Sequence, residues 1–246
     1  MGDFYEMFDE DAVTASEVLG LSLTSRDKKA SEPIPMAGFP WHGLEAQLRK
    51  MLRAGHKVTL VEQSEPEPGS KLMNRAVTRV YTPGSLYEES LIGSEESAVL
   101  ASLICSKDAL GCAVIDSSTG DVQAFEFSGD DRWTRLLDEL LRVSPRELVL
   151  GKKEAEMAMV GQIISQLDKI PVSQFESHAK SRLQALKNSM KASDLGHVDL
   201  DRNPLAMQAA GLATDYLCSL HLSEEVSIRD ISIMEEDDGL VLDQTT

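Results

Sequence analysis

Residues 3–20 read Asp3-Phe4-Tyr5-Glu6-Met7-Phe8-Asp9-Glu10-Asp11-Ala12-Val13-Thr14-Ala15-Ser16-Glu17-Val18-Leu19-Gly20, and two different periods are written into them. Over the first five residues the period is two. A strand here places Phe4, Glu6 and Phe8 on one face and Tyr5 and Met7 on the other. From Asp9 the spacing becomes helical. Ala12, Val13, Ser16 and Leu19 share a face, acidic residues fill the first turn, and Gly20 stands where the helix ends. A strand that runs straight into a helix points to an α/β fold.

Working outward, residues 24–35 are polar and basic and close with Pro33-Ile34-Pro35, which marks a loop. Residues 43–54 form a second helix with Leu44, Leu48, Met51 and Leu52 as its apolar stripe, stopped by Gly55. Lys57–Glu62 reads as a buried strand, residues 65–70 as a loop, and Arg75–Tyr81 as a strand closed by Thr82-Pro83-Gly84. After an acidic stretch at 88–96 the pattern restarts with strands at 98–104, 111–115 and 122–127, the last two joined through the turn at 116–121. Helices at 131–143 and 152–167 alternate with strands at 147–150 and 170–175, which indicates a second α/β domain. A helix with proline in its first turn follows from Pro204 to about Leu220, and residues 231–242 read as strand and loop.

The 246 residues include 24 basic and 41 acidic side chains, a net charge of −17, and 42% are apolar. That apolar share suffices for packed cores, so disorder of the whole chain is excluded. No run of roughly 20 apolar residues is present, so a membrane helix is not expected. Cys105, Cys112 and Cys218 form neither a C-x-x-C pair nor an even disulfide framework, which fits a reducing, cytoplasmic setting. The charge is uneven: residues 1–84 carry 10 basic and 12 acidic side chains, net −2, while 85–246 carry 14 and 29, net −15. Residues 24–79 alone hold 10 basic and 6 acidic side chains, net +4. The basic balance of that stretch suits contact with phosphates, whereas the chain as a whole is unsuited to indiscriminate nucleic-acid binding.

Phe4-x-Glu6 places an aromatic ring and a carboxylate two residues apart on one strand face. Such a pair can open a duplex: an apolar wedge unstacks a base step from the minor groove, and a hydrogen-bonding neighbour contacts the displaced base. Unstacking costs least where pairing is already faulty, so the pair would select weak points rather than a sequence. Phe8-Asp9-Glu10 satisfies the same spacing, so spacing alone leaves a core Phe4 and a surface Glu6 as the competing reading. The five histidines lack metal-ligand spacing. Asp116 and Asp121 flank a hairpin, and turn formation accounts for them; Cys105 and Cys112 lie in apolar strands as core thiols. There is no G-x-x-x-x-G-K-[ST] phosphate loop and no G-x-S-x-G elbow.

Several blocks, in order, resemble the N-terminal part of the bacterial MutS family of DNA mismatch repair proteins. They are Met1-Gly2-Asp3-Phe4-Tyr5-Glu6-Met7-Phe8, Leu23-Thr24-Ser25-Arg26, Pro33-Ile34-Pro35-Met36-Ala37-Gly38-Phe39-Pro40-Trp41-His42, Val61-Glu62-Gln63, and Val77-Thr78-Arg79-Val80-Tyr81-Thr82-Pro83-Gly84. Beyond them the resemblance rests on element order, the helix at 205–220 and the ending Leu240-Val241-Leu242-Asp243.

The resemblance implies an α/β chain in three parts: a mixed-sheet mismatch-recognition domain over 1–85, an RNase H-like connector over 86–200, and the first helix of an α-helical core domain over 201–246. It implies that Phe4 is the wedge that stacks on the mispaired base, that Glu6 hydrogen-bonds that base, and that Arg26, Met36 and Arg79 approach the duplex. The chain begins at the motif and stops short of the family's lever helices, clamp and ATPase domain, so a fragment is expected. The fragment itself is expected not to be an enzyme and to need no cofactor. ATP, Mg²⁺ and homodimerisation are expected of the full-length parent, with duplex DNA carrying mispairs or small loops and a MutL-type protein as partners and no membrane. Two other functions stay open: a metal-dependent RNase H-like nuclease, for which Asp116 and Asp121 are the available carboxylates, and a branched-DNA binder.

Overall fold

A computed structural model of the chain describes residues 3–25, 32–64, 73–85, 99–190, 203–220 and 226–234. Two compact units divide at residue 96, Met1–Glu96 and Ser97–Thr246. The first unit opens as the periods indicate, with strand β1 (Phe4–Phe8) followed at once by helix α1 (Asp9–Leu19). Asp9 turns the corner between them in the left-handed region, a conformation that aspartate tolerates better than most residues. Gly20, at φ 70°, ends the helix in the conformation that favours glycine. Strands β2 (Thr24–Ser25) and β3 (Pro35–Pro40) complete a three-stranded antiparallel sheet with β3 in the centre. A single 3-10 turn (Trp41–Gly43) leads into α2 (Leu44–Arg53), whose Leu48 and Leu52 are buried as the stripe indicates. Strands β4 (Val58–Ser64) and β5 (Asn74–Tyr81) form a separate antiparallel hairpin.

The period-two reading of β1 holds. Tyr5 and Met7 pack with Ala15, Leu19 and Phe39 between sheet and helix, the Tyr5 and Phe39 rings 6.0 Å apart. Two expectations are corrected. Val13 is exposed and Ala15 is buried in its place, because the buried stripe of α1 runs Ala12, Ala15, Leu19, and Ser16 turns its hydroxyl to the Leu21 carbonyl. Residues 57–62 are not a buried strand either: among the described residues β4 pairs with β5 alone, and Val61 and its partner Val77 are both exposed.

The second unit is built on a six-stranded sheet. Strands β6 (Val99–Cys105), β7 (Ala109–Asp116) and β8 (Asp121–Ser128) form an antiparallel meander; β9 (Glu147–Leu150) and β10 (Val172–Gln174) add in parallel beyond β6, and β11 (Asp230–Met234) adds in parallel beyond β8. Helix α3 (Arg132–Val143) follows β8, and a helical stretch follows β9. That stretch is two helices, α4 (Lys152–Ala155) and α5 (Ala158–Gln166), rather than the single helix expected over 152–167. The break arises because α4 folds over the end of β6: Glu154 accepts the Cys105 N–H at 3.2 Å and the Lys153 ammonium donates to the Cys105 carbonyl at 3.0 Å. Helix α6 (Ala179–Ser189) has no counterpart in the sequence reading, and α7 (Pro204–Leu220) matches it.

Each face of this sheet has its own cover. Ala101, Leu103, Cys105, Leu110, Cys112, Val114, Phe125 and Phe127 pack against Leu136 and Leu140 of α3 and Val160 and Ile163 of α5. Ser102, Ala113 and Ala124 stand side by side in register on the opposite face, where α7 packs. Small side chains there let a helix rich in Ala and Gly come close, and the Ser102 hydroxyl donates to the Ala209 carbonyl at 2.7 Å. Gly111 makes the closest approach: a Cβ there would lie 2.1 Å from the Leu205 carbonyl oxygen. Glu126, directly opposite Gly111 in register, accepts the N–H groups of Leu205 at 2.9 Å and Ala206 at 3.3 Å, so a carboxylate from β8 caps the first turn of α7. Deeper in, Tyr216 of α7 donates to the buried Glu147 carboxylate at 2.7 Å, which also accepts from Ser173.

Helix α7 is built into the second unit by packing, by a side-chain cap and by a buried carboxylate.

Candidate nucleic-acid interface

The face of the first unit's sheet that α1 does not cover carries Phe4, Glu6 and Met36, three of the five residues singled out by sequence. The register pairs Phe4 with Pro40, Glu6 with Gly38, and Phe8 with Met36. Directly opposed residues in an antiparallel pair point to the same side, so all six share one face. Tyr5 with Phe39 and Met7 with Ala37 take the other, against α1. The alternation that buries Tyr5 and Met7 is thus what drives Phe4 and Glu6 outward.

Phe4 is 59% exposed, whereas Phe39 and, in part, Tyr5 and Met7 pack in the core beneath the sheet. Its parity on β1 excludes it from that core, which removes the reading of Phe4 as a packed residue. Glu6 is exposed beside it. Met36 is half-buried and pairs with Thr24 on its other side, so the structure brings Phe4, Glu6 and Met36 to one surface. The Tyr5 phenol on the reverse face is pushed up, first by burial and then by the Glu62 carboxylate.

Arg79 is placed elsewhere, on β5 of the hairpin opposite Leu60. It is half-buried, with its guanidinium over the Tyr81 ring at 5.8 Å and Nη1 donating to the Tyr81 hydroxyl at 3.5 Å. That stacking fixes the arm of Arg79 through a neighbour two residues on. Arg26 lies outside the described residues. The positions that sequence reasoning missed on this face are Gly38 and Pro40, which are identifiable only once β3 is known to lie against β1.

The carboxylates considered for a nuclease centre are committed to local structure. Asp116 accepts the Ser118 N–H at 2.9 Å and also the Ser118 hydroxyl, closing the hairpin turn. Asp121 accepts from Nε and Nη2 of Arg229, and that pairing holds its carboxyl below the usual carboxylate range. Among the described residues no three His, Cys, Asp or Glu side chains come together as metal ligands. No described helix is long and apolar enough to cross a membrane.

Comparison with known proteins matches residues 1–90 to the family described as MutS domain I and residues 98–229 to that described as MutS domain II. The second match runs through α7, in keeping with its place on the six-stranded sheet. Similar proteins include the DNA mismatch repair protein MutS of Halothermothrix orenii, 34% identical over 250 residues, that of Anaeromyxobacter sp. strain K, 36% over 253, and that of Symbiobacterium thermophilum, 36% over 255. All of this chain is covered in each case, against 28%, 27% and 29% of the respective relative. The chain thus spans little more than a quarter of the length of these relatives.

Proposed function

The chain belongs to the MutS family of DNA mismatch repair proteins, and from that premise we propose that its first unit recognises mispaired or looped-out bases in duplex DNA. The observation that carries this reading is the exposed Phe4 ring beside Glu6 on a sheet face that no described residue covers. Burying such a ring is worth on the order of 1.5–3 kcal/mol, which insertion into a base step would supply. A base step is such a partner. The ring unstacks it from the minor groove, the Glu6 carboxylate accepts a hydrogen bond from the displaced base, and the duplex bends away from the wedge. Met36 on the same face, Arg79 on the hairpin, and Arg26 serve as further contacts to the duplex. Arg79 and Arg26 supply positive charge against phosphates, which positions the duplex without reading its sequence.

The second unit reads as an RNase H-like connector. Support comes from its topology, an antiparallel three-stranded meander extended by two parallel strands, with helices on both faces. We assign it no catalysis. The parent protein is proposed to work as an ATP-dependent homodimer that signals to a MutL-type partner in the cytoplasm. ATP and Mg²⁺ would be held outside these 246 residues, which have no G-x-x-x-x-G-K-[ST] loop.

The test is binding of the full-length protein to a duplex with one G·T mispair or one unpaired T, against the matched duplex at the same salt, for wild type and Phe4→Ala. A preference that disappears with the ring supports the wedge. A Phe4→Ala protein that still discriminates would overturn it.

A further inference from the structure

We propose that Gly38 and Pro40 are positioning residues for this recognition, forming a low floor beside Glu6 and Phe4 on which the duplex settles. The proposal rests on the reading of Phe4 and Glu6 given above. Opposed residues in an antiparallel pair have Cβ positions about 5 Å apart, so the nearest cross-strand neighbour of Phe4 is Pro40 and that of Glu6 is Gly38. One is a short closed ring and the other has no side chain at all. Two residues along, Phe8 and Met36 oppose each other and raise the face again with long apolar side chains. The two residues assigned to the base therefore project over the lowest part of the sheet. A wedge penetrates only until something beside it meets the groove, so a tall neighbour would hold Phe4 short of the stack.

The contacts at Gly38 make this specific. A Cβ there would lie 2.8 Å from the Tyr5 carbonyl oxygen and 3.6 Å from Glu6 Cγ. The first distance forces β1 and β3 apart at the point from which Glu6 projects. The second sets a methyl group against the stem that carries the carboxylate. The strand shift moves Glu6 relative to Phe4, and the two cease to address one base together.

The experiment uses the full-length protein, a duplex with one unpaired T and its matched duplex at fixed salt, with melting temperature followed in parallel. Gly38→Ala is expected to lower the preference for the unpaired base about tenfold, the scale of coupling between contacting residues. Pro40→Leu, which adds height beside Phe4 while keeping a Cβ already present, is expected to lower it severalfold with unchanged melting temperature. On a Glu6→Ala background, Gly38→Ala is expected to cost no further preference, because the residue acts through Glu6. Wild-type preference in folded Gly38→Ala, or a loss that adds in full to that of Glu6→Ala, would overturn the role of Gly38. Should Gly38→Ala fail to fold, wild-type preference in Pro40→Leu overturns the floor. If Phe4→Ala and Glu6→Ala themselves leave the preference intact, it is the reading of the site that falls.

Discussion

The three-stranded sheet of the first unit has a helix on one face and, among the described residues, a bare surface with a phenylalanine on the other, whereas the six-stranded sheet of the second unit is covered by helices on both. The same alternation of side chains operates in both. In the second unit each parity finds a partner: large apolar residues meet α3 and α5, and small ones meet α7. In the first unit only one parity does. Strand residues left over by such an arrangement are ordinarily polar, and here one of them is Phe4. The difference separates residues that hold the protein together from residues that hold something else.

The comparison can be broken most severely at Gly111. Replacement by valine puts side-chain atoms where the backbone of α7 lies, and the covered face must open. A loss of roughly 3 kcal/mol or more is expected in denaturant unfolding of the second unit. Unfolding at the wild-type midpoint would mean that α7 does not dock as described. Glu126→Ala removes the cap from the first turn of α7 while leaving its packing, and about 1–2 kcal/mol should be lost in the same measurement.

Phe4→Ala is the matching change on the bare face, and its stability effect should stay within about 0.5 kcal/mol while mispair preference disappears. A drop in melting temperature of several degrees would show that the ring is part of the core after all. The smallest effect sharpens the contrast with an exposed pair that merely ties β8 to the chain before β11. The Arg229 hydrogen bonds depress the Asp121 carboxyl, so their stabilisation is present above the ordinary carboxylate range and fades as pH falls through the depressed folded value. Asp121→Asn should therefore melt slightly below wild type at neutral pH and together with it in acid.

What was legible follows from the range of the interactions concerned. The strand and helix at 4–19, the stripe of α2, the meander and the proline-led helix are local patterns, and the sequence displays them directly. Phe4-x-Glu6 was visible as a pair, but its exposure depends on Ala15, Leu19 and Phe39 taking the opposite face. Gly38 gains its meaning only from the register of β3 on β1, and Glu126 caps a helix 79 residues away; neither relation leaves a local trace. Helix α6 escaped because only Leu186 and Ser189 of its eleven residues are buried, so its apolar stripe is faint, and no Ser, Thr, Asp or Asn occupies its N-cap. The break between α4 and α5 is imposed by tertiary bonds to Cys105, which override an otherwise helical composition.

The two buried thiols of the second unit also make a clock. Cys112 is fully enclosed and its thiol is pushed well up by burial, while Cys105 is pushed up to about 12 by burial and by the Glu154 carboxylate. Neither offers a thiolate to an alkylating reagent while the sheet is closed, yet an unfolded cysteine does so readily near its ordinary value of about 8.5. Each alkylation of Cys105 or Cys112 therefore records one opening of the sheet, and its rate in untreated, native protein reads out how often α3 and α5, which cover these thiols, let go.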